Sequence, residues 1–234
     1  MTGMRIMQPR PRLSIVMPVW NESERIVAAL AAMRDLREQG VEVIVVDGGS
    51  SDDTIALARP LADFVMNADR GRAHQMNAGA RVASAEALLF LHADTALPER
   101  GGELIIEGLS RPGHVWGRFD VRIEGRSPLL KLVARAMNLR SRWTGIATGD
   151  QAMFVKRKDF FAVGGFPPQL LMEDIELSSR LKARSMPLCL HERVTTSGRR
   201  WDTHGVWRTI FLMWRLRFMY WIGTPADQLA RTWR

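Results

Sequence analysis

The stretch LLFLHADTALP, residues 88–98, runs apolar and then presents His92 and Asp94. An imidazole and a carboxylate at the end of a hydrophobic strand could meet a cation or a phosphate. A plain polar loop would read the same way in isolation. VIVVDGGSSDDT has a similar character: the apolar run ends on Asp47, Gly48 and Gly49 allow a tight turn, and Ser50 to Asp53 open a helix. The Asp47 carboxylate could accept hydrogen bonds from a base or ribose, or it could serve its own strand–turn–helix junction. MPVWNE brings Pro18 and Glu22 to the end of another apolar run. MEDIELS sets Glu173 and Asp174 at a helix start, where carboxylates are electrostatically favoured and where one could accept a proton.

These groups need elements to hold them. RLSIVMPVW predicts a strand, and NESERIVAALAAMRDLREQG a single helix with Ile26, Leu30 and Met33 on one stripe and Gly40 as its stop. VEVIVVD reads as a strand buried on both faces, SSDDTIALARP as a short capped helix, and DFVMNA as a third strand. GRAHQMNAGARVAS is helical in its middle, and EALLFLHAD is a fourth strand. Alternation at this spacing predicts an α/β fold with a mainly parallel mixed sheet flanked by helices. Ligands in such sheets gather at the carboxyl ends of strands, where the polar groups above fall.

The second half is less regular. RFDVRIEG alternates, which predicts Phe119, Val121 and Ile123 facing a core and Arg118, Asp120 and Arg122 facing out. SPLLKLVARAMNLRSRW predicts a helix with a serine-proline start, DQAMFVKR a strand, and MEDIELSSRLKARS a helix in which Glu176 is structural. In the tail, Trp207, Ile210, Phe211, Trp214, Phe218 and Trp221 recur at helical spacing, interrupted by Arg208, Arg215 and Arg217. Such a helix suits an anionic membrane surface, through residues 206–222, and equally a core or dimer contact.

The chain has 234 residues, enough for one sizeable core, and its single cysteine, Cys189, excludes an intramolecular disulfide framework. Its net charge of +8 suits nucleic acid, anionic lipid or a phosphorylated substrate. No helix-turn-helix pattern or zinc-ligand spacing supports nucleic acid. No apolar run is long enough to span a membrane, and residues 1–12 lack the apolar core of a secretory signal. The expected location is the cytoplasm, with peripheral contact at the inner membrane face.

Four stretches in order, SIVMPVWNE, VIVVDGGSSDDT, LLFLHADT and MEDIELSSRL, resemble the family 2 glycosyltransferases of the GT-A fold. RGRAHQMNAGA, with FLHADT, is similar to a small bacterial subgroup labelled radical-SAM/selenodomain-associated transferase 2. The resemblance implies sugar transfer from a nucleoside diphosphate donor of UDP or GDP type to an acceptor it does not identify, with inversion. It implies that Pro18, Glu22, Asp47, Gly48, Arg72 and His92 meet the donor, and that Asp94 binds Mg²⁺ or Mn²⁺ bridging its phosphates. His92 departs from the family, which carries aspartate there; it is expected to donate a hydrogen bond to ribose or phosphate. Asp150, Gln151 and Trp201 would face the acceptor, Asp174 would be the general base with Glu173 beside it, and His204 would reach the metal. On this reading residues 1–234 form one domain: a loose lead-in (1–12), a nucleotide-binding half (13–97), an acceptor and catalytic half (98–195) and a basic aromatic segment (196–234). A sugar-phosphate nucleotidyltransferase is the enzyme alternative, though MPVWNESE lacks the glycine-rich loop that such enzymes carry. A basic nucleic-acid-binding module is the non-enzyme alternative.

Overall fold

The computed structural model describes residues 11–233. Of the lead-in expected over 1–12, residues 1–10 lie outside the described residues. The first half runs β1 (Leu13–Val19), α1 (Ser23–Ala31), α2 (Arg34–Glu38), β2 (Glu42–Asp47), α3 (Thr54–Ala58), β3 (Phe64–Asn67), α4 (Arg72–Val82) and β4 (Ala87–Phe90). The rest runs β5 (Thr95–Ala96), α5 (Gly101–Ser110), β6 (Trp116–Glu124), α6 (Leu129–Thr144), a 3-10 turn (Gly149–Gln151), β7 (Phe154–Lys156), α7 (Arg157–Ala162), α8 (Glu173–Lys182), β8 (Leu188–Ser197), α9 (Arg199–His204), α10 (Val206–Trp221) and α11 (Ala226–Trp233).

One eight-stranded sheet in the order β3-β2-β1-β4-β7-β6-β8-β5 runs through both halves. β3, β2, β1 and β4 are mutually parallel; β7 joins β4 and β6 antiparallel, and β6 lies parallel to β8. The mixed sheet is buried on both sides. Leu13, Ile15 and Met17 of β1 belong to one core cluster, while Val16 belongs to another with Ile44 and Val46. This is why VEVIVVD carries no polar alternation. α4 lies very close to β1, because a Cβ on Gly79 would stand 2.4 Å from Val16 Cγ1.

Three local expectations are corrected. The helix expected over 21–40 is two helices: the Met33 N–H bonds to the Leu30 carbonyl at 3.0 Å, tightening the turn between α1 and α2. Ile26, Leu30 and Met33 are nevertheless buried, and Gly40 ends α2 with φ +83°. The strand expected from Asp150 begins only at Phe154, since residues 149–151 form the 3-10 turn and Ala152 is left-handed at φ +47°. Arg118 and Asp120 do not face water. They form a buried ion pair, with Arg118 Nε donating to Ser141 Oγ (3.0 Å) and Arg142 Nη2 to Asp120 Oδ2 (2.9 Å). α6 supplies both of those partners, so this outward face of β6 is covered, and pairing is what makes buried charges tolerable there.

Candidate active site

The strand ends of the parallel half are tied together before any ligand arrives. The Asn21 N–H donates to Ser50 Oγ (2.8 Å), Glu22 N–H to Thr54 Oγ1 (2.8 Å) and Ser51 N–H to Asn21 Oδ1 (2.8 Å). Asn21 adopts φ +52°, a left-handed conformation that this local bonding compensates. Beneath the loops, Gln75 Nε2 donates to the carbonyls of Val19 and Val46, both at 2.8 Å, and so bridges β1 to β2. Gly48 lies over it: a Cβ there would stand 3.0 Å from the Gln75 amide. Gln75 carries this role from the middle of a helix, with no turn residue beside it to mark it in the sequence.

Asp47 is fully buried. Its Oδ2 accepts the N–H groups of Gly49 and Ser50 at 2.8 Å, and its Oδ1 accepts the Ser50 hydroxyl. The expectation that this carboxylate reads a base edge is corrected: it has no open surface, and its oxygens build the loop. Pro18 is buried in β1, and Glu22 pairs with Arg25 at 3.2 Å at the start of α1. Trp20 is half exposed and carries the Arg70 guanidinium over its ring at 3.6 Å.

A cavity of about 390 Å³ opens at the carboxyl end of β4. Arg72, His92, Asp94, Asp150, Asp174 and Trp201 all line it. Asp94 and Asp174, eighty residues apart, therefore line one open cleft. The Asp94 carboxylate has one weak side-chain partner, the Thr95 hydroxyl at 3.3 Å. Asp174 is held from both sides: Oδ2 accepts the Gly149 N–H and Oδ1 its neighbour Ile175 N–H, each at 2.8 Å. Met172, just before α8, adopts φ +64°. Backbone strain of this kind collects where surrounding structure over-determines a geometry.

Arg72 begins α4 and bonds Glu173 Oε1 through Nε at 2.8 Å, with 44% of its side chain open to the cleft. Burial works against its charge, but Glu173, Asp174 and Asp150 outweigh it and raise its pKa. Burial pushes the Glu173 carboxyl up, against the pull of Arg72, and its Oε2 has no hydrogen-bond partner. His92 stacks close to Gly149, where a Cβ would stand 2.8 Å from its Cε1. Burial and the nearby Arg72 charge hold the His92 imidazole below its usual value. Asp150 lies 3.9 Å from His92 and is pushed up by the protein crowded around it, although 46% of its side chain still meets cleft water.

Two expected site residues are corrected. Gln151 is fully buried, with Oε1 accepting the Thr148 N–H (3.3 Å) and Nε2 reaching Asn138 Oδ1 (3.4 Å), so it shapes the 3-10 turn and does not face the cavity. His204 is exposed at the end of α9, its Nδ1 3.2 Å from the Arg200 carbonyl, and it lines not the cavity but a neighbouring surface depression with Arg208 and Phe211. One turn of α9 puts Arg200 and Trp201 on the cavity and His204 beyond it. Among the described residues no cluster of three or more His, Cys, Asp or Glu is arranged to hold a metal. A lone, nearly unpartnered Asp94 fits a hard cation that takes its other oxygens from a diphosphate and water. The cavity also holds Arg199, Arg200 and Arg217, and Arg217 comes from the tail helix whose arginines suit an anionic membrane surface in the sequence.

The family model for glycosyl transferase family 2 matches residues 14–166. A poly-beta-1,6-N-acetyl-D-glucosamine synthase of Staphylococcus aureus (strain COL) is 27% identical over 191 residues, covering 74% of this chain. The chain spans 46% of that relative's length. Among solved structures, a mannosyltransferase from Pyrobaculum calidifontis in complex with GDP-Man and Mn²⁺ superposes with a TM-score of 0.65 at 22% identity, covering 89% of this chain and 61% of the other. Glucosyl-3-phosphoglycerate synthase from Mycobacterium tuberculosis, with Mn²⁺, UDP and its product, gives 0.60 at 19% identity, covering 80% and 71%. These neighbours carry the GT-A fold, and the mixed sheet described above is of that kind.

Proposed function

The chain belongs to glycosyl transferase family 2, and from that premise we propose that it moves a sugar from a nucleoside diphosphate donor, of UDP or GDP type, to an acceptor hydroxyl with inversion. The observation that carries this reading is that Asp94 and Asp174 line one cavity of about 390 Å³. A diphosphate at Asp94 and an acceptor at Asp174 would then approach a shared anomeric carbon from opposite sides.

Asp174 accepts the acceptor's proton as its oxygen attacks the anomeric carbon. The bond to the diphosphate breaks on the far face, and its electron pair leaves with the diphosphate. Two backbone N–H groups orient the Asp174 carboxylate. Arg72 and Arg200 bring positive charge to the cavity where the leaving group gains negative charge. Glu173 positions Arg72. His92, kept neutral, offers one N–H to a phosphate or ribose oxygen. Asp94 would hold a Mg²⁺ or Mn²⁺ ion, which offsets diphosphate charge as a Lewis acid when bound. Pro18, Glu22, Asp47 and Gly48 act as the frame of the nucleoside loop, and Asp150 and Trp201 line the acceptor side. The matching family model displaces both the nucleotidyltransferase and the nucleic-acid reading.

A thermal-shift panel of UDP-, GDP- and dTDP-sugars with and without Mn²⁺ tests this. A cation-dependent rise in melting temperature with one nucleotide class supports it; no shift with any of them contradicts it.

No described helix is long and apolar enough to cross a membrane. The tail stripe is not core: Trp207, Phe211, Trp214, Phe218 and Trp221 are exposed on α10, between 59% and 80%, and only Ile210 turns inward. With Arg208 and Arg215 beside them, these aromatics favour a location on the inner face of an anionic membrane. Sedimentation with phosphatidylglycerol vesicles, lost in a Trp214→Ser/Phe218→Ser variant, is the expected result; failure of the unaltered chain to sediment would exclude it.

A further inference from the structure

Beside the cavity that contains Asp174 lies a second, more open cavity of about 870 Å³. Ile175 and Arg217 line both spaces. Arg140 from α6 joins Arg217 from α10 in this second cavity, and Ile146, Trp221 and Pro225 supply apolar wall. The Nε and Nη2 atoms of Arg140 are buried with no hydrogen-bond partner.

Guanidinium groups lose water on burial, and a donor left unpaired carries a full desolvation penalty. Arg118 by contrast is fully engaged, whereas Arg157 Nε, Asp159 Oδ2 and Glu173 Oε2 share the unpaired state of Arg140. Burial and the adjacent Arg217 charge lower Arg140 to about 10, although Asp174 pulls the other way. Burial lowers Arg217 as well. Glu176 also lines this cavity but is paired with Arg180 at 2.9 Å, so the two arginines beside the apolar wall suit an anion with two or more oxygens, and arginine pairs best with phosphate.

We propose that the acceptor is a phosphate-bearing amphiphile: its phosphate lies between Arg140 and Arg217, its apolar chain follows the wall of Ile146, Pro225 and Trp221, and its hydroxyl meets Asp174. The inference rests on the transfer reaction proposed above and names its acceptor class. It also gives the aromatic ridge a second use, because Trp221 belongs both to the groove and to the exposed face of α10. The groove then opens where hydrocarbon chains would lie.

Binding of dodecyl phosphate, inorganic phosphate and dodecyl maltoside, followed by calorimetry on the full chain below micelle-forming concentrations, tests this. Dodecyl phosphate should bind at least tenfold more tightly than either of the others. Arg140→Gln and Arg217→Gln should each reduce that affinity at least tenfold, and Arg140→Gln, which lies outside the Asp94 cavity, should leave Mn²⁺-dependent nucleotide binding unchanged. Arg140→Gln should not lower the melting temperature, since it removes an unpaired buried charge; Arg217→Gln, on a different helix, covers the case in which one variant misfolds. Equal binding of dodecyl maltoside removes the phosphate assignment, and equal binding of inorganic phosphate removes the amphiphile. Unchanged affinity in both variants removes the site. Nucleotide binding is read separately in the same samples, so loss of donor binding with amphiphile binding intact would overturn the transfer reaction alone.

Discussion

The two halves of the cleft are built on opposite terms. On the side of β1 and β2, polar groups are satisfied within the protein: Asp47 by its own loop, Asn21 by Ser50 and Ser51, Gln75 by two strand carbonyls. On the side of α6, α8 and α10, buried Arg140 and Glu173 atoms lack partners and a row of aromatics faces outward. A frame that is complete without ligand pre-organises its site, whereas unsatisfied groups mark where a ligand must supply what the protein does not. Asp94 and Asp174 stand at the border between the two.

The comparison can be broken first at that border. Asp174→Asn should lower transfer roughly 10²–10⁴-fold, the range for losing a general base, with nucleotide affinity unchanged. Steady-state rates beside nucleotide calorimetry check this, and full activity would remove Asp174 from the chemistry. Asp94→Ala should reduce Mn²⁺-dependent nucleotide binding at least tenfold with an unaltered circular dichroism spectrum. Binding that survives both the substitution and EDTA would place the cation elsewhere.

The frame should respond in stability. Gln75→Leu removes two buried hydrogen bonds, to the Val19 and Val46 carbonyls, at about 0.5–1.5 kcal/mol each, while the Val19 carbonyl keeps the Gly48 N–H. Urea unfolding should show a loss of about 2 kcal/mol. The smallest effect lies at the rim of the same half, where Asp63 accepts from Arg37 (2.7 Å) and from the Val43 N–H (2.8 Å). Burial works against the Asp63 charge, but the Arg37 hydrogen bond and the Val43 N–H outweigh it and lower its pKa. An acid with a lowered folded pKa stabilises above its unfolded value, and that contribution is lost as pH falls through the folded one. Asp63→Asn should therefore melt slightly lower at pH 7, by less than about 1 kcal/mol, with the gap closing below about pH 4.

The parallel half was legible because strand–helix alternation and glycine turns are local signals, and His92 and Asp94 fall at a strand end where such sheets collect ligands. Asp174 was readable from its helix start. What escaped reading depends on contacts distant in sequence. Asp47 looks like a ligand-facing acid until its own loop consumes its oxygens. Gln151 and His204 carry plausible side chains, yet a 3-10 turn and one turn of α9 point them away. Arg118 and Asp120 follow an amphipathic alternation, and only the packing of α6 shows that both sides of β6 are covered. Arg140 and Arg217 reach their cavity from two helices 77 positions apart, a convergence with no local pattern.

The central claim is that Asp94 and Asp174 work on one anomeric carbon. A crystal structure of the chain with Mn²⁺ and either UDP-N-acetylglucosamine or GDP-mannose, whichever the thermal panel selects, tests it directly through the anomalous signal of the metal. The account predicts Mn²⁺ at about 2.0–2.2 Å from an Asp94 oxygen, with the anomeric carbon turned toward the Asp174 carboxylate. A metal bound away from Asp94, or a sugar directed out of the cavity shared with Asp174, would contradict it.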